Sequence, residues 1–472
     1  MQMPIVQYPS VVINNLPCFT PVFRTEEQVK HFCEYVTGLI AGDKKTVAAI
    51  NALFLNNNDQ SALNKFLTQA EWDECELNRR RVELEVTRLH RRPVSARAGR
   101  LIIDDTLAHH TKCRIEELAY LKDHTLNRYV YAHNVVTSYY LNRADQFPVD
   151  LRLYLQFRKK KWSANLAEMA AQLRVEPTLS GYHRYLVSLL AYGVRQRIFR
   201  TKTQLAADLV QQAVAWGLPF DVVLFDGWYC RRPLISVVQE LGKDWVSGCP
   251  KDRRVLIQNR WTQLQQFSPS IPAEAYRPLK INDRLWWAFS KVMPMKCLKR
   301  QRVRIVAAYM DELNLDKTPT FYATNRRDWE AKRILTTYLD RWPTETFNED
   351  AKGCLGFEDY QLRKLRGIKR HWYLSFVAYS LLGDQGPPGR SRWAVRGRFE
   401  STGQRCRGSW MNCWAIWFAG SLSRLRRDTP QTQCCRCCWP KRKADPCLSQ
   451  PGRSASILVR PGWLVVLALI VC

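Results

Sequence analysis

The spacing of apolar residues changes period several times along the chain. From Glu26 to Leu39, from Lys44 to Leu55 and through Leu63-Asn-Lys-Phe-Leu-Thr-Gln-Ala-Glu-Trp72, apolar side chains recur at mixed steps of three and four, as in helices with one buried face. Residues 1 to 98 therefore read as a helical, basic region. At Leu101-Ile102-Ile103-Asp104-Asp105-Thr106 that period gives way to an unbroken apolar run ending in two acids. Such a run predicts a buried strand, and carboxylates at its end would lie at the sheet edge, within reach of a ligand. Tyr129 to Tyr140 and Val149 to Phe157 are dense in β-branched and aromatic residues and read as two more strands. The run Arg158-Lys159-Lys160-Lys161 reads as a charged loop.

Thr203 to Trp216 is the clearest helix, with Leu205, Leu209, Val210, Ala213 and Val214 on one side and Gly217 and Pro219 at its end. Phe220 to Phe225 is a second buried run that meets an acid, Asp226, and then Gly227. Arg232 to Leu241 reads as a helix. The order is strand, strand, strand, helix, strand, helix, with acids at the ends of the first and fourth strands. Beyond it, strands are predicted at Trp245 to Gly248, Arg254 to Ile257, Leu285 to Phe289, Val303 to Val306 and Thr320 to Ala323. They make residues 242–322 a β-rich insertion, with Trp286 and Trp287 read as core rather than as platforms for a base. The catalytic part is then expected in two pieces, 99–241 and 323–383.

The stretch Tyr338-Leu-Asp-Arg341-Trp-Pro343-Thr-Glu345-Thr-Phe-Asn-Glu349-Asp-Ala-Lys352 carries a tyrosine, an arginine, a glutamate and a lysine at helical spacing. Pro343 breaks a continuous helix but suits a first turn, so one helix should end near Arg341 and another start at Pro343. Taken alone, such a face is as well explained by solvated salt bridges as by a site for a metal and a phosphate.

The pattern Tyr-x2-Arg-x3-Glu-x6-Lys resembles the signature of DDE transposases of bacterial insertion sequences. That resemblance implies an α/β, ribonuclease-H-like mixed sheet in which the first and fourth strands are neighbours. It also implies an Asp-Asp-Glu metal site, here Asp104, Asp226 and Glu345, binding Mg²⁺ or Mn²⁺. Family members commonly follow the first acid by one residue and then Ser or Thr; Asp104-Asp105-Thr106 fits with Asp104 as ligand, and Asp105 is the alternative. Tyr338, Arg341 and Lys352 would position phosphates. The implied partner is double-stranded DNA, as terminal inverted repeats and target, held by a homo-oligomer. A nuclease of the same fold without strand transfer, or a decayed transposase that only binds DNA, would share these features.

Charge supports a polyanionic partner, since the 472 residues carry a net +29 at a pI near 9.7. Two basic rows are candidate phosphate contacts: Arg79, Arg80 and Arg81, followed by His90-Arg91-Arg92, and then Arg363, Arg366, Lys369 and Arg370. From residue 384 the composition changes to an irregular tail rich in Arg, Trp, Cys, Ser, Gly and Pro. It has 15 basic and 4 acidic residues, so residues 1–383 keep +18. The tail reads either as a natural disordered extension or as out-of-frame translation.

No secretory leader or membrane span is expected, because the apolar run Trp463 to Cys472 has only ten residues; the expected location is the bacterial cytoplasm, on DNA. Of sixteen cysteines, eight are scattered up to Cys354 and eight follow residue 400 without two separated pairs, so free thiols are expected rather than disulfides or zinc. His109, His110 and Cys113 offer no evident fourth zinc ligand and read as a polar loop. His133 reads as structural, and a phosphate-cradling glycine loop is absent.

Overall fold

The computed structural model describes residues 4–55, 59–91, 99–111 and 114–383. The expectations for the tail, for Arg92 and for Cys113 fall outside these residues. The N-terminal region is helical, as its period predicts. After short turns at Ser10–Ile13 and Leu16–Phe19 come α1 (Glu26–Ala41), α2 (Val47–Asn51), α3 (Gln60–Thr68) and α4 (Glu74–His90). Thr25 caps α1 by accepting the Gln28 amide, and Asp73 caps α4 by accepting that of Cys75. Such caps supply partners for amides that the first turn leaves open, at about 1 kcal/mol each.

Four strands follow: β1 (Gly99–His110), β2 (Ala119–Asp123), β3 (Arg128–Leu141) and β4 (Gln146–Tyr154). Then come α5 (Lys159–Val175), α6 (Leu179–Ile198), α7 (Lys202–Ala215), β5 (Phe220–Phe225), α8 (Arg232–Glu240) and β6 (Asp244–Cys249). The short pair β7 (Arg254–Ile257) and β8 (Arg260–Gln263) precedes β9 (Arg277–Ile281), β10 (Arg284–Pro294), β11 (Arg302–Met310) and β12 (Thr320–Thr324). Three helices complete the described chain: α9 (Ala331–Leu339), α10 (Trp342–Gly353) and α11 (Leu365–Gly383).

One ten-stranded mixed sheet organises the molecule, in the order β2-β3-β1-β5-β6-β12-β11-β10-β9, with β4 also on β3. β1 and β5 are parallel neighbours, as are β5 and β6, and the other pairings are antiparallel. This agrees with a ribonuclease-H-like α/β fold carrying an N-terminal helical region. Most strands expected as an insertion belong to this sheet, since β6 pairs with β5 and β12 to β9 extend it, whereas β7 and β8 form a separate two-stranded sheet. Side chains alternate between two cores. Ile102, Leu224 and Val246 join α9, α10, α11 and the N-terminal helices; Leu101, Ile103, Val223 and Phe225 join α7 and α8.

α11 shows what an all-round apolar helix requires. From Gly367 to Gly383 nearly every residue is buried, with Trp372, Leu374, Phe376 and Leu382 wholly enclosed. Each such side chain contributes about 1.5–3 kcal/mol of burial. Trp286 is likewise core. Among the described residues no helix is long and apolar enough to cross a membrane, and the described cysteines are free thiols.

Three expectations need correction. β1 does not stop at the acids but continues to His110, so His109 and His110 lie in a strand and not a loop. The run Arg158 to Lys161 is not a loop, because Lys159 opens α5. α5, α6, β2, β8 and β9 stand where no element is expected; α5 is amphipathic, with Lys161, Asn165, Glu168 and Gln172 on one side and Trp162, Leu166, Met169 and Leu173 on the other.

Candidate active site

The sheet creates the site by ending one strand before its neighbour. β1 and β5 pair up to Ile103 opposite Phe225. β5 then stops while β1 runs on, leaving an open edge at Asp104. Asp226, the first residue past β5, turns the chain. Its Oδ1 accepts the amides of Trp228 (3.0 Å) and Tyr229 (3.2 Å), and its carbonyl accepts Ser247 Oγ (3.1 Å). A Cβ on Gly227 would lie 3.1 Å from Pro250 Cδ, so the turn needs glycine for close approach.

The two-residue period sends Asp104 to the face of Ile102 and Leu224, and Asp105 to the other. Asp226 lies just past β5, where its charge acts on Asp104 and that of Asp105 acts on it. α9 and α10 pack over the Asp104 face through Ile334, Leu335, Phe347 and Ala351. The break between them falls where Pro343 predicts it, and Pro343 sits in the first turn of α10. Glu345 also lies in that turn, where the helix dipole favours a negative charge.

Arg341 ties these elements together. Its Nη1 donates to Asp104 Oδ2 at 2.9 Å and its Nη2 pairs with Glu345 Oε1. Asp104 Oδ1 accepts the Asp105 amide at 2.9 Å. Burial pushes the Asp104 carboxyl up to about 7; Arg341 opposes that shift, and Asp105 and Asp226 add to it. Burial also raises Asp226, partly offset by the Tyr229 amide. Tyr338 packs edge-on to Tyr322 at 4.8 Å, lies 5.9 Å from the Arg341 guanidinium, and is raised by burial.

Lys352 reaches the open edge further along, where its Nζ donates to the Leu107 carbonyl at 2.7 Å and stands 3.8 Å from Glu358. Glu358 in turn accepts the His109 amide at 3.1 Å. Burial lowers the Lys352 pKa, with Glu358 opposing the shift. Residues of α10 and the loop after it thus satisfy backbone groups of β1 where β5 no longer runs beside it.

Asp105 has a different environment. Its Oδ1 accepts Tyr229 Oη at 2.8 Å, and its Oδ2 accepts Lys202 Nζ at 2.7 Å and Asn134 Nδ2 at 3.1 Å. No sequence signal pointed to this clamp, whose members come from β3, α7 and the turn after β5.

A hard divalent cation takes carboxylate oxygens, and Asp104, Asp226 and Glu345 supply that donor chemistry. Among the described residues no three His, Cys, Asp or Glu side chains are grouped to hold an ion as they stand; the Arg341 guanidinium bridges Asp104 and Glu345 instead. The donor set fits the ion in kind, provided that Arg341 releases a carboxylate.

The basic rows divide between surface and interior. Arg79 pairs with Glu76 and Glu83, and Arg80 with Glu76. Arg81 is fully buried, donating to Asn78 Oδ1, Ser380 Oγ and the Val149 carbonyl. Arg370 is buried too, donating to the Phe66, Leu67 and Trp72 carbonyls with its guanidinium 4.1 Å over the Trp72 ring. The expectation that Arg81 and Arg370 contact DNA is therefore corrected: both are interior. Three consecutive helical residues sweep about 200°, so one of Arg79 to Arg81 must turn inward. Arg363 and Arg366 are exposed and Lys369 is half-buried. His133 is structural as expected, bonded to Tyr360 Oη at 2.6 Å and the Glu116 carbonyl at 2.8 Å.

Comparison with protein families gives two matches. Residues 18–271, more than half the chain, match the family described as DDE superfamily endonuclease, and residues 200–381 match the transposase DDE domain. The first match covers Asp104 and Asp226; the second covers Asp226 and Glu345. No curated protein matches the chain.

Proposed function

The chain belongs to the DDE superfamily of endonucleases, and from that membership we propose that it is a DNA transposase of the bacterial insertion-sequence type. The family is one of DNA-acting enzymes that use divalent metal ions. The observation that carries the finer reading is the nearness of Asp104 and Asp226 beyond the Ile103–Phe225 pair, with Glu345 brought to Asp104 through Arg341.

In this reading Asp104, Asp226 and Glu345 hold Mg²⁺ or Mn²⁺. When bound, such ions activate the attacking oxygen and stabilise the leaving one. The protein's own part is electrostatic and positional. Burial makes the Asp104 charge unfavourable, so a stronger counter-charge than one shared guanidinium is favoured there. With its carboxylate partners otherwise engaged, Arg341 would be free to take a DNA phosphate, for which its planar fork is suited. Tyr338 backs Arg341, and Lys352 presents a second positive group along the same edge. Hydrolysis at the element end frees a 3′-hydroxyl, and that hydroxyl then attacks a target phosphodiester and displaces one of its oxygens. The protein acts on terminal repeats and target DNA as a homo-oligomer in the bacterial cytoplasm.

The test uses the full chain, Mg²⁺, and a DNA fragment carrying the gene's own flanking sequences. Cut ends joined to a second DNA are expected. Cutting without joining would replace this reading with that of a nuclease.

A further inference from the structure

The hairpin of α5 and α6 departs from the rest of the described fold. Neither helix has a buried residue. The side chains that face each other, Trp162, Leu166, Met169 and Leu173 on α5 and Tyr185, Ser188 and Tyr192 on α6, are only half-buried. Its root is fixed by the ring contacts of Phe157 with Trp162, Tyr192 and Phe199, and by Arg195 on Glu117. The other side of α6 is apolar as well. Leu179, Tyr182, Leu186, Val187, Leu189, Leu190, Val194 and Ile198 are all exposed, Leu179 by 89% and Leu190 by 70%.

Successive residues turn by 100°, which places Tyr185, Ser188, Tyr192 and Arg195 on one side and the exposed stripe opposite them. From Trp372 on, helix α11 is enclosed; α6 carries a comparable density of apolar side chains on its exposed half without the enclosure. A helix of that character calls for a second packing partner.

We propose that this face of α6 is a self-association surface that pairs with α6 of a second copy of the chain. The inference is independent of the chemistry assigned to the acids. Three features favour a second copy. The stripe runs the length of a 20-residue helix, about 30 Å, and its eight side chains expose on the order of 800 Å², about what one partner contributes to a standard interface. It is self-complementary: an antiparallel pairing about a two-fold axis between Leu189 and Leu190 sets Leu186 of one copy against Gly193 of the other. A Cβ on Gly193 would meet nothing within 4 Å, so room for Leu186 is present. The same axis brings Tyr182 opposite Arg197, a cation–π geometry. His183 lies toward one end of the stripe and Arg197 at the other, and Arg184 and Arg195 lie on the opposite half of the helix, so phosphate contact is poorly served at its middle.

The test is the mass of the full chain in solution, freed of nucleic acid by nuclease and high salt. A two-chain mass is expected. Leu186→Glu with Leu190→Glu should halve it, and so should Gly193→Trp, which fills the pocket from an open position. Leu315→Glu, an exposed apolar site elsewhere, should leave it unchanged. These positions are on the surface, so helical circular dichroism should be the same in every variant. A photo-reactive benzoylphenylalanine replacing Leu190 should cross-link to residues of α6 in a second chain. A one-chain mass for the unmodified protein, a two-chain mass kept by both α6 variants, or cross-links to residues beyond 383 would each overturn the proposal.

Discussion

Asp104 enters the sheet face covered by α9 and α10, where one guanidinium serves both it and Glu345. Asp105, the next residue, enters the opposite face, where Tyr229, Lys202 and Asn134 occupy both of its oxygens. The two differ in what remains unmet. Asp105 has three donors, one of them a cation. Asp104 has a shared cation, a neighbouring amide and two further acids, and burial leaves its charge disfavoured. A carboxylate with its lone pairs filled holds structure together; one whose charge is under-compensated is free to recruit a ligand. The same division separates the arginines, with Arg81 and Arg370 spent inside and Arg363 and Arg366 outside.

The largest expected effect tests the two acids directly. Asp104→Asn should lower DNA end cleavage by about three orders of magnitude, the scale of losing a group that stabilises transition-state charge. Its thermal midpoint should hold or rise, because a buried, disfavoured charge is gone. Asp105→Asn should lower cleavage only about ten-fold while costing about 2 kcal/mol of stability, typical of hydrogen bonds to a charged group. Cleavage rates in Mg²⁺ beside denaturation midpoints read both. Equal losses of cleavage would erase the distinction between the faces.

The next comparison runs along α10. Glu345 is half-buried and bonded to Arg341, whereas Glu349, one turn on, is exposed. Glu345→Gln should reduce cleavage by about two to three orders of magnitude and leave DNA affinity unchanged or slightly higher, since one charge that repels phosphate is removed. Glu349→Gln should cleave at close to the parent rate. The reverse order would give Glu349 the role proposed for Glu345.

Much of this arrangement is legible in sequence, for identifiable reasons. Parallel strands buried on both faces read as unbroken apolar runs, so Leu101 to Ile103 and Val222 to Phe225 announce themselves and deliver the acids that follow. Pro343 marks the break between α9 and α10 because proline suits only a first turn. Asp105's role is not legible, since Asn134, Lys202 and Tyr229 reach it from three distant segments. The run Arg79 to Arg81 misleads because adjacency in sequence is not adjacency on a helix face. α5 does carry a helical period, with Lys161, Asn165, Glu168 and Gln172 opposing Trp162, Leu166, Met169 and Leu173; α6 is harder to read, because its apolar residues spread over about half of its circumference.

Among the buried cations, Arg81→Met is expected to cost about 3 kcal/mol, the low end for breaking a buried charged network. It removes the donor to Asn78 Oδ1 and Ser380 Oγ and leaves the Val149 carbonyl with Asn78 Nδ2 at 3.1 Å. DNA affinity of the folded fraction should not change. Urea midpoints and duplex binding measured on the same preparation separate the two effects. A loss of affinity at unchanged stability would return Arg81 to the DNA surface.

The smallest expected effect belongs to the exposed cations. Arg363 precedes α11 and Arg366 lies in its first turn; both are open to solvent, and Arg366 donates to the Ala70 carbonyl at 3.0 Å. Arg79 and Arg80 already face Glu76 and Glu83, so a phosphate approaching them must displace a carboxylate and meets its residual repulsion. A cation that neutralises one phosphate of duplex DNA contributes about 0.9 to the slope of log affinity against log salt. Arg363→Ala with Arg366→Ala should therefore flatten that slope by about 2 and weaken binding several-fold at moderate salt. Arg79→Ala with Arg80→Ala should change the slope by less than half as much, because it removes charge that the helix has largely neutralised for itself. Fluorescence anisotropy of one labelled duplex across a salt series, with Mg²⁺ omitted so that no cleavage intervenes, measures both pairs. A steeper loss for the Arg79 and Arg80 pair would mean that DNA breaks those ion pairs and that α4, rather than the start of α11, carries the phosphate-facing surface.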